Sequence, residues 1–195
     1  MAKKLSLIFT TFPVATETFL AREVEAMLAQ GVELELWSLW KGDSAYAGVR
    51  VKRPHWICLF GILFWLPYWF LREPKVVSRF VRRAFFSGYP SWLNHGENLL
   101  GMGMGLVFAR QFEHSRERSI HAVWATGPTA MAWVISALTK RTFSFGAHAF
   151  DLFESGGDRW LSEKIRKAAW VRSSTQVGCQ RILELGGKAE STLLV

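Results

Sequence analysis

The stretch that decides the fold reads SIHAVWATGPTAMAWVISALTKRTFSFGAHAFDLF and runs from Ser119 to Phe153. Its pattern predicts a strand over 120–125, then a tight turn and an apolar helix over 126–138, then a second apolar strand over 143–147. A strand, a helix and a strand within about 30 residues make up one βαβ unit of a parallel sheet. Ligands of such sheets bind outside the carboxyl ends of the strands. We therefore expect functional side chains just after the second strand, at His148 and Asp151.

The flanking segments extend the same alternation. Before the unit, the sequence predicts a buried strand over 5–10, a helix capped by Thr16 or Thr18 that ends at Gly31, and strands over 32–37 and 49–52. After it, the sequence predicts a helix over 160–169 with Glu163 and Lys164 facing outward, a strand over 170–173, a helix over 176–185 and a strand that starts at 192. This order predicts an α/β fold, a Rossmann-like parallel sheet with helices on both faces.

Residues 54–112 interrupt that order with a helical, aromatic-rich insertion. Residues 54–71 carry no formal charge and contain Pro67, and three interpretations stay open: a transmembrane helix, an ordinary core helix, or an interfacial helix that lines the acceptor site. Residues 72–86 form a basic amphipathic helix, the pattern of a segment that lies on a membrane surface. Its cationic face would comprise Arg72, Lys75, Arg79, Arg82 and Arg83. The glycines at 101, 103 and 105 predict a helix packed closely on a neighbour.

The composition narrows the classes of partner. The chain has 195 residues, is 50% hydrophobic and carries a net charge of +8, so general disorder is excluded and anionic partners are favoured. Ten tryptophans and fifteen phenylalanines with excess positive charge suit contact with an anionic bilayer. Two cysteines give no disulfide framework, which points to a reducing cytosol. The sequence shows no P-loop, no dinucleotide fingerprint, no metal-ligand spacing and no fold signature for nucleic acid.

The candidate site residues have ordinary alternatives. His148 and Asp151 could act on a sugar or phosphate at the sheet edge, or be a histidine followed by an aspartate that caps a helix. The loop over 12–19 precedes a helix N-terminus, where an anion commonly binds, although Glu17 suits a sugar hydroxyl better. An ordinary turn and helix cap would explain that loop equally.

Three motifs in collinear order give the chain a family resemblance. They are Phe12-Pro13-Val14-Ala15-Thr16-Glu17-Thr18-Phe19 with Glu23 after it, Ile120-His121-Ala122-Val123-Trp124-Ala125-Thr126-Gly127-Pro128, and Ser144-Phe145-Gly146-Ala147-His148-Ala149-Phe150-Asp151-Leu152-Phe153. The chain resembles the N-terminal, acceptor-side half of GT-B glycosyltransferases of the group 1, or GT4, type, and is most similar to enzymes of exopolysaccharide and colanic-acid assembly. It departs from the family pattern in having Val123 for a His, Gly146 for a Thr and Phe150 for a Tyr.

The resemblance implies roles for particular residues. His148 would lie beside the donor sugar and the reacting centre, and Pro13, Thr16 and Glu17 would border the acceptor. Asp151 and His121 are further substrate-binding candidates. The resemblance implies no metal and no bound cofactor, with a UDP- or GDP-linked sugar as co-substrate.

These inferences together predict one domain over 1–195, the acceptor-side half of a retaining hexosyltransferase that serves a lipid-linked or polysaccharide acceptor. We expect it on the cytoplasmic membrane, at the inner face, without nucleic-acid partners. The pattern stops at residue 195 without the family's donor-binding half, so this chain alone is expected to be inactive. Two alternatives stay open: a non-catalytic membrane-surface binding domain on the same fold, and a different α/β enzyme that acts on a phosphorylated small molecule.

Overall fold

An eight-stranded sheet organises the protein in the computed structural model, which describes residues 4–88, 91–114 and 118–195. The strands are β1 (Lys4–Phe9), β2 (Glu33–Ser38), β3 (Ala45–Tyr46), β4 (Val49–Lys52), β5 (Arg118–Ala122), β6 (Phe143–Gly146), β7 (Val171–Ser173) and β8 (Thr192–Leu194). Their order across the sheet is β3-β4-β2-β1-β5-β6-β7-β8. All neighbouring strands are parallel except β3 and β4, which form an antiparallel pair at one edge. The α/β, Rossmann-like fold predicted from the sequence is confirmed.

The helices are α1 (Thr18–Ala29), α2 (Ile62–Arg72), α3 (Pro74–Phe86), α4 (Trp92–His114), α5 (Gly127–Thr139), α6 (Ala149–Phe153), α7 (Leu161–Lys167) and α8 (Gln176–Glu184). Short 3₁₀ segments cover Trp56–Gly61, Glu154–Gly156 and Ala189–Ser191. The insertion between β4 and β5 is helical, as the sequence predicts. The structure corrects one cap: Glu17, rather than Thr16 or Thr18, is the N-cap residue of α1, and its side chain makes no capping bond.

The core forms because both faces of the central strands are apolar. Ile8 of β1 and Phe145 of β6 are fully buried in one cluster, together with most of α5. Leu7 and Leu36 belong to a second cluster that α1 covers. Alternate residues of a strand point to opposite faces, so one short strand contributes to both layers.

Helix α4 packs directly on α5 because its glycines remove side chains from the contact. A Cβ atom at Gly101 would overlap the carbonyl oxygen of Gly127 at the start of α5, and a Cβ at Gly105 would lie 2.9 Å from the carbonyl oxygen of Met131. This confirms the close helix contact predicted for residues 101–105.

The residues before α4 expose much of their apolar surface. The side chains of Phe64, Leu71 and Phe85 are each more than two thirds exposed. Over the part of the chain that the structure describes, no helix is both long enough and apolar enough to span a bilayer.

Candidate functional site

The sheet reverses its strand order between β1 and β5. From β1 the chain builds outward through β2 and β4, and from β5 it builds the other way through β6, β7 and β8. The loops that leave β1 and β5 therefore diverge, and a crevice opens at the carboxyl edge of the sheet between them. Two adjoining clefts occupy this edge, named here the Trp124 cleft and the His148 cleft.

The Trp124 cleft has a volume of about 460 Å³ and lies directly over the reversal. Its lining includes Thr10 and Glu17 from the segment after β1 and Trp124 and Thr126 from the segment after β5. The Glu17 carboxylate accepts a hydrogen bond from the Trp124 side chain, which joins the two walls. Partial burial raises the pKa of Glu17, although this hydrogen bond opposes the rise. Because Glu17 makes no capping bond, its carboxylate is directed toward the cleft rather than toward the helix.

His148 is positioned by the end of β6 and the start of α6, for which it is the N-cap residue. The half-buried ring contacts two aromatic rings edge-on, with centroid distances of 4.9 Å to Trp124 and 6.1 Å to Phe19. Its Nε2 atom has no hydrogen-bond partner among the described residues. Burial, and secondly the positive charge of Arg172, lower the pKa of His148, so the ring is neutral at pH 7.

The His148 cleft, of about 560 Å³, brings charged groups from distant parts of the chain together. Arg172 of β7 forms a bidentate ion pair with Glu23 of α1, with 2.6 Å between Nη2 and Oε2. The Arg172 Nε atom, like His148 Nε2, lacks a partner within the described residues.

These two unsatisfied nitrogens are buried and lie close to Gly146. A Cβ atom built there would lie 3.3 Å from His148 Nε2 and 3.5 Å from Arg172 Nε. The same atom would be 2.7 Å from the backbone oxygen of Val123, so a larger residue at position 146 requires the backbone to move. Glycine at position 146 therefore lets the His148 ring and the Arg172 side chain pack closely against the backbone of β6.

Asp151 lies at the border of the Trp124 cleft but is only 2% exposed. Its Oδ2 accepts a hydrogen bond from the backbone N–H of Ala125, at 2.9 Å, and the backbone N–H of His148 also bonds to this carboxylate. An acid three residues after the N-cap that binds the N-cap N–H is half of a capping box. Burial raises the pKa of Asp151 to about 7 despite these two hydrogen bonds. The aspartate therefore caps α6 and holds a proton that is exchangeable near neutral pH.

The buried ammonium group of Lys164 hydrogen-bonds to the loop after β5. Lys164 of α7 is 0% exposed, which corrects the prediction that it faces outward. Its Nζ donates to the carbonyl oxygen of Ala125 and to Asn98 Oδ1, each at 2.6 Å, and pairs with Asp158. Burial lowers the pKa of Lys164, while the charge of Asp158 opposes that shift. The network fixes the β5 loop to α4 and α7.

His121 is in the interior of the sheet and is 2% exposed. Its Nδ1 lies 2.9 Å from Ser144 Oγ, and the ring stacks on Trp170 at 4.9 Å. Burial, with a smaller effect from Arg172, lowers the pKa of His121 to about 3. This neutral ring is a packing group in the described structure and does not reach the surface of the clefts.

The three residues after β1 that were predicted to border the acceptor differ in their burial. Thr16 is exposed and Pro13 is half-buried next to the fully buried Phe12. The backbone N–H of Phe12 donates to Ser38 Oγ at 3.0 Å, which ties this segment to the loop after β2. Of the three predicted acceptor residues, Glu17 lines a described cleft.

The predicted cationic face of α3 needs a correction. Arg83 turns toward the protein body, where it pairs with Glu163 and lies over the Trp133 ring at 5.5 Å. Arg72 ends α2 and pairs with Glu113 at 3.0 Å. The basic groups that α3 presents to solvent are Lys75, Arg79 and Arg82.

Several site residues escaped the sequence reasoning. Phe19 and Trp124 stand in the family motifs but were given no role, and Arg172 reaches the site only because β7 lies beside β6 in the sheet. Glu23 belongs to the first family motif, but the sequence did not identify its ion pair. For Lys164 a signal exists, because it shares the spacing of Leu161, Ile165 and Ala168 on the apolar face of α7.

Among residues 4–88, 91–114 and 118–195, no group of three or more His, Cys, Asp or Glu side chains could hold a metal ion.

The comparisons with known proteins identify the fold. No family model matches the sequence, and no curated protein matches it. Among solved structures, the chain is similar to a lipopolysaccharide outer core galactosyltransferase, WaaB, in its apo form. The TM-score is 0.59 at 10% sequence identity, and the match covers 98% of this chain and 44% of that one. The chain thus has the fold of part of a GT-B glycosyltransferase and spans less than half the length of that enzyme.

Proposed function

We propose that this chain is the acceptor-side half of a glycosyltransferase and that its site lies at the carboxyl edge of the sheet, between the β1 and β5 loops. The observation that carries the proposal is the placement of the half-buried His148 ring in the lining of an open cleft at the carboxyl edge of the sheet, next to the Trp124 cleft at the strand-order reversal. The fold it shares with a galactosyltransferase supports this assignment.

The reaction is the transfer of a hexosyl group from a UDP- or GDP-linked sugar. The bond between the sugar C1 and the phosphate oxygen breaks, a bond between C1 and an acceptor oxygen forms, and the acceptor proton leaves with the nucleoside diphosphate. We propose retention at C1 and no metal. Fixed positive charge near the leaving diphosphate would stabilise the transition state, and that charge belongs to the donor-binding half that the sequence resemblance implies.

We assign a distinct task to each of four residues of this half. The neutral His148 ring lies in the lining of the His148 cleft, where a bound sugar can contact it. Arg172, paired with Glu23, lines the same cleft. Glu17 faces the acceptor side of the crevice, where its carboxylate can accept a bond from an acceptor hydroxyl. Asp151 orients the backbone that carries His148.

Sugar transfer tests this proposal in the longer protein that contains a donor-binding half. We expect His148→Ala to reduce turnover by at least about 100-fold, because an interaction made in the transition state is lost, while the protein stays folded. His114→Ala, at an exposed helix end, is the matched control. A longer protein that binds no nucleotide-sugar, or one in which His148→Ala turns over normally, contradicts the proposal.

We also propose that the protein works on an anionic membrane surface through α3 and the exposed apolar side chains around it. Lys75, Arg79 and Arg82 project from α3 beside the exposed Phe85 and Phe86 rings. Each basic group near an anionic surface contributes about 1 kcal/mol. We expect flotation with anionic vesicles, weakened by the double variant Arg79→Gln/Arg82→Gln. Equal flotation with neutral vesicles contradicts this attraction.

A further inference from the structure

One ion pair joins the β7 and α1 walls of the His148 cleft. Arg172 and Glu23 both line this cleft, and their side chains are 13% and 26% exposed. The two Nη atoms of Arg172 each donate to a different oxygen of the Glu23 carboxylate. A bidentate pair of this kind fixes the orientation of the guanidinium group. The cleft therefore has a positive charge at a fixed place in its wall.

The remaining nitrogen of the guanidinium group, Arg172 Nε, lies close to the His148 ring. A Cβ atom built on Gly146 would be 3.5 Å from Arg172 Nε and 3.3 Å from His148 Nε2, so the two nitrogens are separated by no more than the sum of these distances. Both atoms are shielded from solvent, and neither has a hydrogen-bond partner in the part of the chain that the structure describes. Because both are buried, water screens the guanidinium charge only weakly at the ring.

The ion pair acts on the His148 ring mainly through its positive end. Burial comes first and the charge of Arg172 second in lowering the pKa of His148, and Glu23 raises this pKa by a smaller amount. The titratable and charged groups around the ring are Arg172 of β7, Glu23 and Arg22 of α1, His121 of β5 and Asp151 of α6. His121 is neutral, and Arg22 is exposed to solvent. Arg172 is therefore the charge in this set that opposes protonation of His148.

A neutral ring suits the chemistry of the proposed transfer. When the bond between the sugar C1 and the phosphate oxygen breaks, positive charge develops on the sugar ring. An imidazolium in contact with that sugar would repel the developing charge, whereas a neutral imidazole does not. Because Glu23 balances the charge of Arg172, the pair can keep the ring neutral without adding net charge to the cleft.

We propose that Arg172, held in place by Glu23, is a positioning residue for sugar transfer that keeps His148 uncharged where a bound sugar contacts it. Arg172 acts through His148 and needs no contact of its own with the substrate. The short path from Arg172 Nε to the His148 ring and the bidentate bond to Glu23 carry the inference. It rests on the proposed function, in which it gives the ion pair a task.

The pKa of His148 in the chain of residues 1–195 tests the proposal without a donor or a transfer step. Carbon–proton NMR spectra of the imidazole rings, recorded from about pH 4 to pH 8, follow each histidine, and His148→Gln identifies the signal of His148. We expect the pKa of His148 to rise in Arg172→Met and to fall in Glu23→Gln. Arg172→Lys keeps the positive charge, so its value should lie closer to that of the parent than the Arg172→Met value does.

The opposite signs of these two shifts separate an electrostatic role from a structural one. If the ion pair only tied β7 to α1, the loss of either partner would open the cleft to water, and the pKa of His148 would rise in both variants. Arg22→Met is the matched control, because it removes an exposed cation from the lining of the same cleft. It should leave the pKa of His148 at the parent value.

Three NMR outcomes overturn the proposal: an unshifted His148 in Arg172→Met, shifts of the same sign in Arg172→Met and Glu23→Gln, or an Arg22→Met shift as large as that of Arg172→Met.

The pH profile of sugar transfer by a longer protein with a donor-binding half tests the task in the reaction. The ratio of turnover at pH 6 to turnover at pH 8 should fall at least about threefold in Arg172→Met relative to the parent, because more of His148 is cationic at pH 6, and it should recover in Arg172→Lys. An unchanged ratio overturns the positioning role. If the NMR shifts appear as expected but the longer protein transfers no sugar, the coupling of Arg172 to His148 stands and the transferase is rejected, so the two failures are distinguishable.

Discussion

Lowering the pH from 7 to 5 changes the stability of the folded protein in opposite directions through two buried groups, His121 in the sheet and Asp151 at the start of α6. His121 has a pKa of about 3 in the folded protein against 6.5 when exposed, so the unfolded chain takes up the proton and stability falls with pH. Asp151 has a pKa of about 7 against 3.8, so the folded protein takes up the proton and stability rises as pH falls.

The magnitudes follow from proton linkage. Between pH 7 and pH 5, His121 should lower the free energy of unfolding by roughly 2 kcal/mol and Asp151 should raise it by roughly 2 kcal/mol. The two effects nearly cancel in the parent protein. The His121→Asn variant, which keeps a group near Ser144 Oγ, should therefore gain about 2 kcal/mol on acidification relative to the parent, and Asp151→Asn should lose about as much.

Urea unfolding followed by tryptophan fluorescence at pH 5, 6 and 7 measures these differences. The remaining titratable groups, including Glu17 and His148, are common to all three proteins and cancel in the comparison with the parent. Parallel pH profiles for the parent and His121→Asn, within about 0.5 kcal/mol, would refute the burial argument for His121. A flat difference for Asp151→Asn would likewise show that its carboxyl group is ionised at pH 5.

The other predictions concern packing and the polar network, and urea unfolding measures each of them. Lys164→Met should destabilise the protein by about 3–5 kcal/mol, because it leaves the Asp158 charge buried without its partner. The double variant Lys164→Met/Asp158→Leu should recover part of that loss. A double variant that is less stable than Lys164→Met alone contradicts the pairing. Gly101→Ala should cost more than about 2 kcal/mol through overlap with α5, whereas Gly96→Ala, with nothing within 4 Å, should gain up to about 1 kcal/mol; the same sign for both contradicts the close helix contact. Ser38→Ala should cost about 1–3 kcal/mol by leaving a buried backbone N–H of the β1 loop unpaired, and an unchanged midpoint would contradict this bond.

Local patterns were sufficient to predict most of the sheet. The apolar runs at 5–10 and 143–147 became β1 and β6 within one residue at their ends, because a strand covered on both sides is continuously apolar. Gly31, with a φ of +75°, ends the first helix region as expected. The edge pair of β3 and β4 was not predicted in full, because β3 has two residues and carries no periodic signal.

The side-chain arrangement of the site was less predictable than its location. His148 lies at the end of a strand, so the sequence could place it at the sheet edge. Its neighbour Arg172 and the Glu23 carboxylate are 149 residues apart in the chain, so no local pattern could predict their pairing. The direction of the Arg83 side chain depends in the same way on Glu163, which no helical pattern within α3 contains.

Because Lys164 is fully buried, the reactivity of its amine reports on local unfolding around α7. An amine at a 0% exposed site cannot meet a water-soluble acylating reagent while α7 stays docked. Peptide mass spectrometry can compare the acylation rate of Lys164 with that of the exposed Lys75. The ratio of the two rates would measure how often α7 separates from the β5 loop.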